Sequence, residues 1–146
     1  MAEASRRAAR PARKGGLDNA RFVVAAAEAP PDGLAGIAQL VTVQLPWGSL
    51  LRGIVGMDAL VARGVAGLVG PGGELALLLA PAERDGLDGL PLTTAGLVDA
   101  AARAFDPDGF VVIEGRAATA EEVEASGSTW ARRLRRAPTL VRLARR

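Results

Sequence analysis

Short apolar runs alternate along the chain with polar segments and with segments rich in glycine or proline. These runs predict β-strands at residues 20–25, 41–45, 74–79, 109–114 and 139–143. The run at 74–79 is apolar after its first residue, which is typical of a strand covered on both faces. Pro71-Gly72-Gly73 comes just before it and predicts a tight turn into that strand.

Helical segments fill most of the intervals between the apolar runs. Residues 1–13 are rich in Ala and Arg and have no helix breaker before Pro11, so we expect a helix there. Ser49 is expected to cap a short helix with its hydroxyl. Further helices are predicted over residues 58–68, from Thr93 or Thr94 to residue 104, and over 120–125. Strands that alternate with helices indicate one α/β domain with a mostly parallel sheet.

Composition excludes several classes of enzyme. The chain has 146 residues, enough for one domain with a sizeable core, and it contains no His, Cys or Tyr. Nucleophiles activated by histidine and thiolate chemistry are therefore excluded, and a zinc site would need carboxylates alone. No apolar run reaches the length of a membrane span, and the basic N-terminus lacks the apolar segment of a secretory signal. We expect a cytoplasmic protein with no membrane and no metal.

Positive charge is concentrated at the two ends of the chain. The net charge is only +2, but seventeen of the eighteen basic residues are Arg. Most of them lie in two clusters, Arg6, Arg7, Arg10, Arg13 and Lys14 at the start and Arg132, Arg133, Arg135, Arg136, Arg142, Arg145 and Arg146 at the end. Clustered guanidinium groups suit phosphate, which favours a nucleic-acid partner. Solvated basic ends, or codon usage that favours Arg, are the alternative.

Two tryptophans stand out because the only other aromatic residues are three Phe. Trp47 follows the predicted strand at 41–45, and Trp130 adjoins the arginine cluster. An indole beside cations can stack on a nucleobase, and two indoles can hold an unstacked base; two core tryptophans are the alternative. Ligands of open α/β sheets bind at the carboxyl ends of the strands. Trp47, Glu28 and the loop after Leu79 are all predicted at that edge, which favours a functional Trp47.

The tryptophans belong to motifs that resemble a known family. The matching segments are residues 22–28 (Phe-Val-Val-Ala-Ala-Ala-Glu), 45–51 (Leu-Pro-Trp-Gly-Ser-Leu-Leu), 71–73 (Pro-Gly-Gly) and 128–134 (Ser-Thr-Trp-Ala-Arg-Arg-Leu). The chain resembles the aminoglycoside-resistance 16S rRNA methyltransferases of the Kam/Npm type, which methylate N1 of adenine 1408 in the decoding site. The likeness runs from about the first helix to the C-terminus.

The resemblance implies roles for the tryptophans and the basic residues. Trp47 and Trp130 would hold the flipped target adenine, with Ser128 beside them. The implied partner is 16S rRNA in the 30S ribosomal subunit, bound by a monomer. Its contacts would come from Arg13 and Lys14 on 16S rRNA helices and from Arg132 and Arg133 on phosphates.

The resemblance also implies S-adenosylmethionine as the cofactor. Ala27 and Glu28 would lie near its adenine, Leu45 would line the same pocket, and Ser49 would lie near its methionine part. Adenine N1 has its own lone pair, so methyl transfer needs orientation and not a general base. N6-adenine methylases carry Asn/Asp-Pro-Pro-aromatic where this chain has Leu45-Pro46-Trp47-Gly48, so N1 is favoured over N6.

One part of the family pattern is missing. No Gly-x-Gly-x-Gly follows a strand near the N-terminus, and no acidic residue ends a second strand there. We therefore expect residues 1–146 to form a partial class I (Rossmann-like) methyltransferase domain, from the second helix to the C-terminus, without the first strand–helix–strand unit. In the class I strand order 3-2-1-4-5-7-6, this loss leaves the strand at 41–45 as an exposed apolar edge. Our hypothesis is that this chain is a fragment, or that its start codon is misassigned, and that the chain alone is inactive.

Three other functions stay open. The first is a non-catalytic RNA-binding remnant. The second is another class I methyltransferase, in which the tryptophans only pack. The third is an unrelated structural α/β domain.

Overall fold

The fold is built on one open sheet. The computed structural model describes residues 6, 10–17, 19–20, 22–134 and 136–146, and at residues 12 and 132 it describes the backbone alone. The strands of this part of the chain are β1 (Ala38–Gln44), β2 (Val69–Leu79), β3 (Phe110–Ala117) and β4 (Thr139–Arg145). Their order in the sheet is β1-β2-β4-β3. This order matches the last four positions of the class I order, 4-5-7-6.

The sheet is less parallel than the sequence predicts. β1 pairs with β2 in parallel, but β4 lies antiparallel between β2 and β3. Three of the four described strands therefore run the same way, while two of the three pairings are antiparallel. The reason is that the chain reverses direction over residues 118–138, after β3, and β4 then enters the sheet between β2 and β3.

Four α-helices accompany the strands in the described residues. They are α1 (Gly48–Ile54), α2 (Ala59–Leu68), α3 (Thr94–Phe105) and α4 (Ala120–Ala125). The predicted helix starts at Asp58 and Thr93 are confirmed: the Asp58 carboxylate accepts from Leu60 N and Val61 N, and the Thr93 hydroxyl accepts from Gly96 N at 3.1 Å. The prediction that Ser49 caps a helix is wrong. The extended residue before α1 is Trp47, so Ser49 already lies inside the first turn.

The main core lies between α1, α2, α3 and one face of the sheet. Alternate residues of β2 and β4 point into it, among them Leu75, Leu77 and Val141, and Phe105 of α3 packs edge-to-face on Phe110 with ring centroids 5.9 Å apart. The opposite sheet face carries a smaller cluster of buried residues, Leu45, Leu78, Ala118 and Ala131. This second cluster lies where β1 and β2 end, and it supports the site described below.

The strand predicted at residues 20–25 is wrong. The described residues 22–25 form no strand, and Phe22, Val23 and Val24 are 43%, 52% and 78% exposed. An apolar run becomes a strand only when a neighbour takes its backbone hydrogen bonds, and residues 22–25 pair with none of the described strands. β1 is the edge strand instead, with Leu40 exposed, as the sequence predicts.

Two other predicted elements differ in detail. Pro71-Gly72-Gly73 lies inside β2: Ala38 pairs with Val69 and Leu40 with Glu74, so the extra residues form a bulge with Gly72 at φ 69°. The helix predicted over residues 1–13 lies largely outside the described residues. Its predicted end is wrong, because Arg10 is in a bend and Ala12–Lys14 form a separate 3-10 turn after Pro11.

Candidate functional site

A cavity of about 480 Å³ opens where β1 and β2 end. Residues from three segments line it: Gln44, Leu45, Pro46 and Trp47 after β1, Ala80, Ala82, Arg84 and Asp85 after β2, and Ser128 and Trp130 before β4. Trp47, Trp130, Ser128 and Leu45, which the sequence assigns to one active site, are thus brought together. The volume is in the range of small-molecule and nucleotide pockets.

Leu45 fixes the direction in which Trp47 leaves the sheet. Its backbone is left-handed with φ 49°, an uncommon conformation for a bulky residue. The side chain is buried against Leu78, Ala118 and Ala131, and its N–H donates to Leu78 O at 2.8 Å. These contacts hold the strained residue in place, so the following Pro46 and Trp47 turn out of the sheet at the mouth of the cavity.

Trp130 is held by a network of hydrogen bonds that begins at the end of α4. The Ser126 hydroxyl donates to Val123 O at 2.6 Å and accepts from Ser128 N at 3.3 Å. The Ser128 hydroxyl in turn accepts from Ala131 N at 3.3 Å. Ala131 is buried in the second cluster, so the indole of Trp130 beside it is anchored from both sides along the chain. Ser128 therefore has two roles: it lines the cavity, and its hydrogen bonds stabilise the turn that carries Trp130.

Solvent exposure separates the two interpretations of the tryptophans. Trp47 is 82% exposed and Trp130 is 43% exposed, whereas Phe105 and Phe110 are almost completely buried. A large indole left this exposed contributes little to the core. Trp47 is therefore not a core residue.

The residues predicted to bind the cofactor are only partly assembled. Leu45 lines the cavity, but Ala27, Glu28 and Ser49 are not among its lining residues. Ala27 and Glu28 form a turn that rests directly on α2. A Cβ built on Gly64 of that helix would lie 1.9 Å from Ala27 O and 3.0 Å from Glu28 Cα. Only glycine at position 64 allows this close approach of helix and turn.

A second, larger cavity of about 1300 Å³ adjoins the first. It shares Ala80, Ala82, Arg84 and Trp130 with the first cavity, and it also includes Arg133 and Arg136. Arg84 has no predicted role in the sequence. The position of the loop after β2 at the carboxyl end of the sheet is the one signal that could have found it.

The predicted RNA-binding residues lie in different places. Arg133 is exposed at the second cavity, while Arg13 and Lys14 are exposed on the 3-10 turn Ala12–Lys14 and line neither cavity. The side chain of Arg132 lies outside the described residues.

The C-terminal arginine cluster is not a single basic surface, contrary to its interpretation from sequence. The Arg142 guanidinium donates to Glu74 and, at 3.3 Å, to Glu114 on the neighbouring strands, and these carboxylates raise its pKa. Arg145 donates to the carbonyls of Ala66 and Val69 and lies over the Phe110 ring. Both arginines therefore hold the sheet together. Their guanidinium groups are occupied by these partners and are therefore less available to an external phosphate.

Arg116 continues this ladder of charges to α4. It donates to Glu114 at 2.8 Å and to Glu122 at 2.7 Å, and Glu122 also accepts from Thr119 N at 2.7 Å in a capping box. The hydrogen bond from Arg116, followed by the one from Thr119, lowers the pKa of Glu122 from 4.5 to about 2. These ion pairs thereby fix the start of α4. The turn that carries Trp130 follows the end of the same helix.

This shift predicts a pH dependence of stability. A carboxylate with a lowered pKa stabilises the folded state above its unfolded pKa, and this contribution falls away as pH drops from about 4.5 towards 2. We expect Glu122→Gln to remove that acid dependence from thermal unfolding midpoints measured between these pH values. Glu121→Gln, an exposed neighbour on the same helix, is the control and should leave it intact. Equal acid dependence in both variants would contradict the prediction.

The fold and the cavity together define a class of protein. An open α/β sheet ordered β1-β2-β4-β3, with its cavity at the carboxyl ends of β1 and β2, is the arrangement of a class I (Rossmann-like) methyltransferase. The chain matches the family NpmA, 16S rRNA (adenine(1408)-N(1))-methyltransferase, over residues 1–144 and belongs to that family of rRNA methyltransferases.

Individual relatives agree with this membership. An rRNA methyltransferase of Saccharopolyspora hirsuta is 34% identical over 139 residues, which are 92% of this chain and 88% of the relative. The aminoglycoside-resistance methyltransferase NpmB1 has a similar crystal structure, with a TM-score of 0.76 and 34% identity over 100% of this chain and 70% of NpmB1.

A third relative connects the family with its methyl donor. It is a variant of the 16S rRNA (adenine(1408)-N(1))-methyltransferase from Catenulisporales acidiphilia, solved with the cosubstrate S-adenosylmethionine. Its TM-score is 0.82 at 30% identity, over 99% of this chain and 70% of that one. The family and the fold class expected from the sequence motifs are thus confirmed, and the methyl donor expected from the motifs is the cosubstrate in this relative. In the described part of the chain, no helix is long and apolar enough to cross a membrane.

Proposed function

We propose that this chain acts in methylation of 16S rRNA at N1 of adenine 1408, with the target base held between Trp47 and Trp130. The observation that carries the proposal is the cavity between two exposed indoles on separate segments. An aromatic side chain left in water is suited to a ligand with an exposed π-face, and each stacked base is worth about 1–3 kcal/mol. A flipped adenine has that face on both sides.

The side chains that the sequence assigns to the cofactor are chemically suited to S-adenosylmethionine. The carboxylate of Glu28 is exposed and has no ion-pair partner among the described residues, so it is available to accept from an amino or hydroxyl group. Leu45 offers an apolar wall and Ser49 an exposed hydroxyl. When bound, S-adenosylmethionine supplies a sulfonium methyl group, which an adenine N1 lone pair can accept without a general base.

The protein then has to orient the target base so that its N1 faces the methyl group. Trp47 and Trp130 would stack on the two faces of the base and exclude water from it. Of the polar side chains in the cavity wall, Gln44 is neutral, and the Asp85 carboxylate accepts a hydrogen bond from Ala82 N at 2.8 Å. A wall of this kind suits an atom that needs no deprotonation, so N1 is favoured over the amino group at N6.

The proposed partner is 16S rRNA within the 30S subunit, bound by a monomer in the cytoplasm, and the proposed outcome is aminoglycoside resistance. Arg13, Lys14, Arg132 and Arg133 are the proposed phosphate contacts. An RNA-binding remnant without turnover is the second candidate, because the basic residues would serve it equally well.

Transfer of a labelled methyl group to 30S subunits tests the proposal. The assay uses this chain and the same reading frame extended upstream of Met1, each with S-adenosylmethionine. We expect methylated 16S rRNA from at least one of the two. If both bind 30S subunits and neither transfers methyl, the remnant is the correct function; if neither binds, both candidates fail.

A further inference from the structure

The arginines near the site fall into two groups by their partners. Arg142 and Arg116 are held by carboxylates, and Arg145 is held by backbone carbonyls. Arg84, Arg133 and Arg136 line the second cavity, and within the described residues they make no ion pair. A guanidinium that is exposed and not neutralised by the protein is available for an external anion.

Arg84 has a position that Arg133 and Arg136 do not share. It lines both cavities, next to Trp130, whereas the other two line only the larger one. The charged residues of the first cavity are Arg84 and Asp85, and the Asp85 carboxylate is occupied by Ala82 N. Among the described residues, Arg84 is therefore the available cation at the opening between the two cavities.

The backbone around Arg84 is closed into a turn by two hydrogen bonds. Asp85 closes the 3-10 turn twice, through its carboxylate to Ala82 N at 2.8 Å and through its own N–H to Ala82 O at 2.9 Å. Gly86 then leaves the turn with φ 64°. A side chain carried on a locally locked turn loses less entropy on binding than one on a mobile loop.

We infer that Arg84 binds the RNA phosphate next to the flipped adenine, and that the larger cavity receives the adjoining backbone. This inference rests on the proposed function. A nucleotide whose base enters the cavity between the tryptophans leaves its phosphate at the mouth, where Arg84 lies. The fork of the guanidinium can bind two phosphate oxygens, so Arg84 is a substrate-positioning residue that adds affinity at the flipped nucleotide.

Binding of 30S subunits at several salt concentrations tests this inference and needs no turnover. The full chain is compared with Arg84→Ala, Arg84→Lys and Arg103→Ala, the last an exposed arginine of α3 that lines neither cavity. We expect Arg84→Ala to weaken binding about ten- to a hundredfold and to reduce the slope of log K against log [salt] by about 0.7–0.9, the loss of one phosphate contact. Arg84→Lys should keep the slope and recover part of the affinity. Arg103→Ala should leave both unchanged.

Each other outcome counts against the inference. Unchanged affinity and slope in Arg84→Ala would overturn the inference about Arg84. The proposed function would still stand if the unsubstituted protein transfers methyl groups to 30S subunits. An equal loss in Arg103→Ala would show a general charge effect and no site. Failure of the unsubstituted chain to bind 30S subunits would overturn the inference for this chain; the proposed function falls with it only if the reading frame extended upstream of Met1 also fails to bind. Unchanged thermal unfolding of all three variants confirms that the comparison is between folded proteins.

Discussion

Replacing Trp47 or Trp130 with alanine is expected to reduce methyl transfer to 30S subunits by about 5- to 150-fold for each residue, since each stacked base contributes about 1–3 kcal/mol. The free energy of unfolding should change little for Trp47→Ala, within about 0.5 kcal/mol, because the side chain is 82% exposed. Phenylalanine at either position should retain much of the activity, since it keeps a π-face. Initial rates and urea unfolding measure the two effects separately.

Leu60→Ala is the matched control for the tryptophan variants. Leu60 is 65% exposed on α2 and lines neither cavity, so its removal should affect neither rate nor stability strongly. We expect Trp47→Ala to lose turnover and to retain its stability. Loss of stability with retained specific activity in Trp47→Ala and Trp130→Ala would instead mean that the indoles only pack.

Gly64→Ala is expected to destabilise the fold by about 1–3 kcal/mol, the usual cost of overpacking. The new Cβ would lie 1.9 Å from Ala27 O, so either the Ala27–Glu28 turn or α2 has to move. Amide hydrogen exchange should therefore accelerate in residues 26–29 in particular. Because this turn is the proposed neighbour of the cofactor adenine, the substitution also tests how Gly64 positions it.

Gly67→Ala provides a control in the same helix. A Cβ on Gly67 meets nothing within 4 Å, so alanine there should stabilise α2 by about 0.5–1 kcal/mol through its higher helix propensity. The two variants are thus expected to change stability in opposite directions. If Gly64→Ala is as stable as Gly67→Ala, with unchanged exchange at residues 26–29, the close contact between α2 and the turn does not exist in solution.

The sequence predicts those elements that depend on local chemistry. Asp58 and Thr93 start helices because their side chains reach the backbone N–H groups of the following turn, and both are found as helix caps. The apolar run at 74–79 is found in the central strand β2. Trp47 is predicted at the carboxyl end of a strand, and there it lines the cavity.

Features that depend on distant neighbours could not be predicted in this way. The run at 20–25 has the composition of a strand, but strand formation requires pairing with another strand, and the described residues 22–25 pair with none. Arg142 and Arg133 are indistinguishable within one arginine cluster, and only the pairing of β4 with β2 and β3 gives Arg142 its carboxylates. Arg84 likewise acquires its place at the cavity with Trp130 only when two loops far apart in the sequence meet at one edge of the sheet.

Reverse transcription of 16S rRNA from treated 30S subunits shows directly whether N1 of adenine 1408 is methylated. A methyl group on N1 blocks Watson–Crick pairing, so we expect a strong stop at adenine 1408 that requires S-adenosylmethionine and is weakened in Trp47→Ala and in Trp130→Ala. Methyl transfer without a stop at that nucleotide, or a stop that persists undiminished when both tryptophans are replaced, would contradict the proposed function.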